Sequence, residues 1–328
     1  MELTFRTATM EDFDAFYQAC FFEHRFDVGF RAIIKREWRV LMRNPITLTM
    51  VVEDKERRPG ECIVGIAQAV FVTSQFVHWA KTDMVPWVNA HITRPLPDGS
   101  WPLLNPEEVR EANSGNGLNV LLTRWGIAHS LSHEEGLRVR AYMNRNSLSF
   151  HRGYNLREIL VEAIGEDAQQ LALNVGFHLR NDYAMFYRDH PSPPPDKRPI
   201  LMGVTREEAL AKEGSFVSYM FTYTPPRFFF KSHEQDMLNW ALLGASDKEI
   251  ADRQGITLEA VKGQWRSIHR RVAEINPNLL PITPEDGVRG TEKRTTLLRY
   301  LREHPEELRP ISPLHPRGRD RRTGKREG

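Results

Sequence analysis

The chain has 328 residues, long enough for two folded domains, and 40% of them are hydrophobic, enough to fill real cores. Its 45 basic and 43 acidic residues nearly cancel, so net charge carries no sign of a polyanionic partner and any basic surface has to be local. The two cysteines, Cys20 and Cys62, have no CxxC or metal-ligand spacing, which excludes a disulfide framework and predicts buried thiols in a reducing compartment.

The opening stretch MELTFRTATMEDFDAF carries acids where a secretory signal needs an apolar core. No apolar run approaches the roughly 18 residues of a membrane span. The expectation is a cytoplasmic protein with no membrane partner. LTFRTAT alternates as a strand, and the residues after it place Phe13, Phe16, Tyr17 and Cys20 at helical spacing. TLTMVVED and CIVGIAQAVFV are rich in β-branched residues and flank the polar turn KERRPGE, which predicts an antiparallel pair. Residues 86–116 read as loop with one short helix.

GLNVLLTRWGIAHSLSHEEG reads mostly as helix, although LNVLL alone fits a strand, and LRVRAYM alternates as a strand. A helix is then expected from a cap at Asn146, with Leu156, Ile159, Leu160 and Ala163 on its apolar face. HLRNDYAMFYRD reads as a last strand. The element order makes residues 1–190 an α/β domain with a mixed, mainly antiparallel sheet. His129 and His133 lie four apart beside Glu134, which on a helix is one face, but no third ligand is placed and HExxH is absent, so no metal is expected.

Three successive prolines in HPSPPPDKRP stop regular structure. Residues 191–229 are therefore expected to be a linker and docking segment. Beyond it, Ser232 reads as an N-cap with Met237, Leu238, Ala241 and Leu242 at helical spacing up to Gly244. Ser246 and Glu249 make a capping box for a short helix that Gly255 ends. Thr257 caps a third helix whose apolar stripe is Val261, Trp265, Ile268 and Val272. Lys262, Gly263, Gln264, Arg266 and Arg270 then fall on the outward face, where a helix in the major groove needs basic and amide donors. The spacing predicts an all-α helix-turn-helix domain over 230–310, followed by a basic, disordered tail over 311–328.

Residues 230–272 resemble the LuxR-type (GerE-like) helix-turn-helix of bacterial transcriptional regulators, through EQDML, LLGASDKEIADRQGI and the T and AVK that open the third helix. The resemblance implies a double-stranded DNA partner, base contacts from Lys262, Gly263 and Arg266, and phosphate contacts from Lys248, Thr257, Gln264 and Arg270. Gln254 stands where that family usually has leucine, and the long AEINPNLLPITPEDGVRG precedes the fourth helix that makes the family's dimer contact. LTFRTATMEDFDAF resembles the opening of the GCN5-related acetyltransferase fold. That likeness implies an acetyl-CoA cofactor held at a Q/R-x-x-G-x-G/A loop, for which ANSGNG supplies Gly115 and Gly117, and a tyrosine acid, for which Tyr154 is the nominee. Together the resemblances imply a transcriptional regulator with a ligand-sensing or self-associating N-terminal domain, or else an N-acetyltransferase tethered to DNA, with a homodimer as the expected assembly.

Overall fold

The computed structural model describes residues 1–20, 28–44, 46–83, 85–281 and 291–311. They form two compact units, residues 1–151 with 155–222, and residues 152–154 with 223 onward. No described helix is long and apolar enough to cross a membrane. The tail from residue 312 lies outside the described residues.

In chain order the first unit contains β1 (Leu3–Thr7), α1 (Phe13–Cys20), α2 (Val28–Arg43), β2 (Leu48–Asp54), β3 (Ile63–Val72), α3 (Ser74–Thr82) and α4 (Pro106–Ser114). It continues with β4 (Leu118–Ile127), α5 (His133–His151), β5 (Leu156–Ile164), α6 (Glu166–Val175), β6 (His178–Asn181), α7 (Ala184–Asp189), β7 (Pro199–Thr205), α8 (Arg206–Leu210) and α9 (Phe216–Met220). The seven strands form one sheet in the order β1-β2-β3-β4-β5-β7-β6. Only β4 and β5 are parallel, and the other pairs are antiparallel. This is the acetyltransferase-like, mainly antiparallel α/β architecture expected from the sequence.

Both faces of the sheet are covered. Leu41, Phe76, Val77 and Ala80 pack with Leu121 and Leu160 on one face, while Val139 and Met143 of α5 pack on Val52, Val64 and Ala67 on the other. Gly65 permits that second contact, because a Cβ there would stand 2.9 Å from the Met143 sulfur and 3.2 Å from Val139.

Several sequence expectations need correction, and HLRNDYAMFYRD, read as the last strand, holds the edge strand β6 and then α7, with β7 following it. Residues 118–127 are strand and 133–151 are helix, the reverse of the dominant reading. Val139, Met143, Ser147 and His151 are buried while Leu137 and Ala141, which a strand would place on the same face as Val139 and Met143, are exposed, and that pattern is a helix's. Asn146 caps nothing and lies inside α5, while Leu156–Ile164 is a strand between β4 and β7. The proline-rich stretch is not a domain boundary either. It leads into β7, which is hydrogen-bonded between β5 and β6, so the first unit runs to residue 222. Cys62 is half-buried rather than buried, and the Cys20 side chain lies outside the described residues.

The second unit is all-α: α10 (Ser232–Leu242), α11 (Asp247–Gln254), α12 (Leu258–Ile275) and α13 (Thr291–Glu303). Its core gathers Met237, Leu238, Ile250, Val261, Ile268 and Leu297. The Ser246–Glu249 capping box and the Thr257 cap form as the sequence indicates, with Ala260 N donating to Thr257 Oγ1 at 3.2 Å. Gly255 makes the turn at φ +64, a left-handed conformation that favours glycine.

Candidate functional site

The first candidate site follows from how β4 and β5 part. Their parallel pairing covers Leu118–Leu122 and Leu156–Val161 only. At that point β4 bulges: Arg124 pairs with Gln68 and Leu122 with Ala69, leaving Thr123 out of register. Both strands continue without pairing to each other, and the gap holds a cavity of about 250 Å³. Its walls are mostly apolar, with Val161, Leu171, Ala172, Val175, Phe177 and Met220 among them. Such a concave, apolar space with a few placed polar groups is the usual form of a small-molecule site.

The polar group that matters most is Glu162 of β5, 7% exposed and lining the cavity. Its Oε1 accepts from the backbone N–H groups of Trp87 at 2.6 Å and Val88 at 3.2 Å, and from the Tyr183 hydroxyl at 3.1 Å. No cation pairs with it among the described residues. Burial pushes its carboxyl up to about 7, although the three donors favour the charged form. Trp87 (φ 68) and Tyr183 (φ 56) are two of the three described non-glycine residues with left-handed backbone. Such conformations cost on the order of 1–3 kcal/mol each and concentrate at functional sites. Asn89 brings a second acceptor to the cavity, a buried Oδ1 with no hydrogen-bond partner.

The residues nominated from sequence lie elsewhere. Gly115 and Gly117 sit at the C-terminal end of α4, where both of their amides donate to the Ala112 carbonyl, at 3.2 and 2.8 Å. An anion cradle needs free amides at a helix N-terminus, so these glycines do not form one. Tyr154 is buried with the Arg309 guanidinium 4.5 Å over its ring, a packing position. His129 lies ahead of α5 and His133 begins it, so the pair does not share a helical face. Among the described residues no group of three or more His, Cys, Asp or Glu is placed to hold a metal ion.

The helix that does follow β4 is α5, and its N-terminus is already occupied. Ser132 N donates to Glu135 Oε2 at 2.8 Å, and Glu135 N donates to Ser132 Oγ at 3.3 Å. Glu134 stands beside them, and the nearby cations are engaged, Arg57 with Glu135 at 2.7 Å and Arg138 with Glu134 at 2.6 Å. A diphosphate arriving here would displace the helix's own carboxylate and meet a second one. The residues present do not fit the phosphate end of acetyl-CoA.

The second candidate site is the outer face of α12. Val261, Trp265, Ile268 and Val272 are buried, and Lys262, Arg266 and Arg270, spaced four apart, are exposed along one line. They touch only exposed acids, Arg266 and Lys262 reaching Glu259 at 3.0 and 3.7 Å, and Arg270 reaching Glu274 at 4.0 Å. Such surface pairs are worth about 0–1 kcal/mol and exchange readily for a phosphate. Lys248 and Thr257 are exposed, and Gly263 is half-buried on the helix flank.

Gln264 departs from expectation. It is half-buried, and its Nε2 donates to Gln254 Oε1 at 3.3 Å, while Gln254 Nε2 donates to the His233 carbonyl at 3.0 Å. The two glutamines form a polar clasp between α10, α11 and α12 where the resembling family places a leucine. Arg271 also turns inward, to Glu234, and Arg294 of α13 bonds Asp247 at 2.6 Å while stacking 4.6 Å over Trp265. The helix α13 thus belongs to the core of its own unit.

No protein-family model matches this sequence, and a search of curated proteins found no match. Among solved structures, the chain is similar to the C-terminal condensation domain of Ebony in complex with beta-alanyl-dopamine, at 14% identity and a TM-score of 0.40, over 62% of this chain and 99% of that one. It is also similar to the ribosomal-protein-S18-alanine N-acetyltransferase from Escherichia coli, at 10% identity and 0.33, over 62% and 94%. A third is FeeM, an N-acyl amino acid synthase from uncultured soil microbes, at 10% identity and 0.33, over 62% and 91%.

Proposed function

We propose that the protein is a DNA-binding transcriptional regulator whose N-terminal unit binds a small molecule in the cavity between β4 and β5. The observation that carries the first half is the division of α12. One stripe is buried in the core behind a left-handed glycine turn, and the opposite stripe presents Lys262, Arg266 and Arg270 with no strong partner. A basic, exposed helix held rigidly after a tight turn is the form that enters a major groove. Self-association through another surface would present two such helices to half-sites about one helical turn apart. The test is selection from a randomised duplex pool with the full chain. Enrichment of one sequence, lost when Lys262 and Arg266 are both changed to Ala, is expected, and an unenriched pool would remove the reading.

A second reading keeps the fold's usual chemistry and makes the protein an N-acetyltransferase tethered to DNA. The acetyltransferase-like strand order and the buried Glu162, a carboxylate suited to take a proton near neutral pH, favour it. The carboxylate-filled turn ahead of α5 stands against acetyl-CoA as the donor. Acetyl transfer to an amine acceptor pool, followed by mass spectrometry, separates the two readings.

A further inference from the structure

From the cavity's walls we infer its occupant: an apolar molecule that carries an amine or similar hydrogen-bond donor at one end, and not a coenzyme A thioester. The inference rests on the reading that the N-terminal unit binds a small molecule, and it names the class. Two features of the cavity set the donor requirement. Glu162 holds a carboxyl at the wall that forms no ion pair with a described cation, Arg124 of the same wall lying over Trp38, and Asn89 adds a buried Oδ1 that lacks a donor. Both are acceptors. The other polar side chains at the wall are largely used within the protein. Thr123 Oγ1 donates to Gln68 at 2.8 Å, Ser147 Oγ donates to the Asn144 carbonyl at 2.7 Å, His151 Nδ1 is 2.8 Å from the Ser147 carbonyl, and Arg124 stacks on Trp38 at 4.8 Å.

An ammonium or N–H group on the ligand would complete Glu162 and Asn89 together, while Leu171, Ala172 and Val175 would cover an aliphatic or aromatic body. The carboxyl, held near the protonated form by burial, would ionise as the cation arrived. The Trp87 and Val88 amides and the Tyr183 hydroxyl hold the carboxyl in place before binding, which reduces the ordering cost of recognition. Coenzyme A fails on the other count, because its diphosphate would reach an α5 N-terminus closed by Glu135 and flanked by Glu134.

The experiment is calorimetry on the full chain with three probes: 3-phenylpropylamine, the uncharged 3-phenylpropanol, and coenzyme A. The amine is expected to bind saturably and at least tenfold more tightly than the alcohol. Glu162→Gln, which keeps the volume and can still accept from Trp87 and Val88, is expected to erase that preference. Ala172→Phe, which fills the cavity, is expected to abolish amine binding. A circular-dichroism melt of both variants shows that they fold. Equal affinity for amine and alcohol, binding of the amine unchanged in Ala172→Phe, saturable coenzyme A binding lost in Ala172→Phe, or no binding of any probe would each overturn the inference. Duplex binding measured on the same preparation reports separately on the regulator reading.

Discussion

Each unit buries several glutamates, and one from each, Glu234 and Glu162, are treated in opposite ways. In the helical unit Glu234 is 1% exposed and is clamped by Arg271, with Arg271 Nη2 at 3.2 Å from Oε1 and Ser267 Oγ at 3.4 Å. In the sheet unit Glu162 is nearly as buried but receives only amide and hydroxyl donors and faces a cavity. A paired buried charge fixes a packing arrangement, whereas a buried acid without a cation beside open space is the kind of perturbed group that clusters at functional sites. Glu307 of the helical unit also receives only amide and hydroxyl donors but lines no part of that cavity, so it is the open space beside Glu162 that marks it as a candidate site group.

The largest effect should come from breaking the clamp. Arg271→Ala leaves Glu234 buried without its cation and should cost about 3–5 kcal/mol of stability, read by urea unfolding. A loss of only a few tenths would mean that Glu234 reaches water and that the two glutamates are less different than they look. Next is pH. The folded-state pKa of Glu162 is raised from 4.5 to about 7, so between those values the folded chain holds a proton that the unfolded chain has released. Its contribution is therefore fully present below about 4.5 and falls by roughly 3 kcal/mol as pH rises through about 7. Glu162→Gln should remove that slope and leave the variant the more stable protein at pH 7.5, and parallel slopes for the two proteins would refute the assignment.

Smaller effects test the outer face of α12. Arg266→Ala should cost about 1–3 kcal/mol of binding at one base position and little at others, measured by fluorescence anisotropy on single-substituted duplexes. A uniform loss would make Arg266 a phosphate contact. Smallest of all, Gly263→Ala should stabilise the fold by roughly 0.5–1 kcal/mol, because the site is helical and the nearest atom to a new Cβ is the mobile end of Arg266 at 3.9 Å. If duplex binding falls while stability rises, the glycine serves a close backbone approach.

The same contrast explains which parts were legible in the sequence. In the helical unit, caps, turn glycine and apolar stripe all pointed to one arrangement, and Ser246, Gly255, Thr257 and Val261 took their expected places. Ser232, read as a cap, is the first residue of α10 behind Lys231, and Gln264 turned inward because a period of 3.6 does not say which flank a half-buried polar side chain will find. In the sheet unit the buried positions of β5 were right and its type was wrong. A strand covered on both faces shows no alternation, so Leu156, Ile159, Leu160 and Ala163 fit a helix as well. Read as helix, Glu158 and Glu162 make a polar stripe four residues apart. Read as strand they face inward, and that exchange hid Glu162. The one signal available was a lone acid inside the apolar run ILVEAI. The cavity itself depends on where the β4–β5 pairing ends, and the bulge at Thr123 leaves no mark in composition or period.

The most direct test of the account is the salt dependence of duplex binding by the full chain and by Arg270→Ala on the selected site. The account predicts that log K falls linearly with log salt, and that the Arg270→Ala slope is shallower by about one. Binding that is absent at low salt, or a slope unchanged by Arg270→Ala and by Lys248→Ala alike, would contradict it.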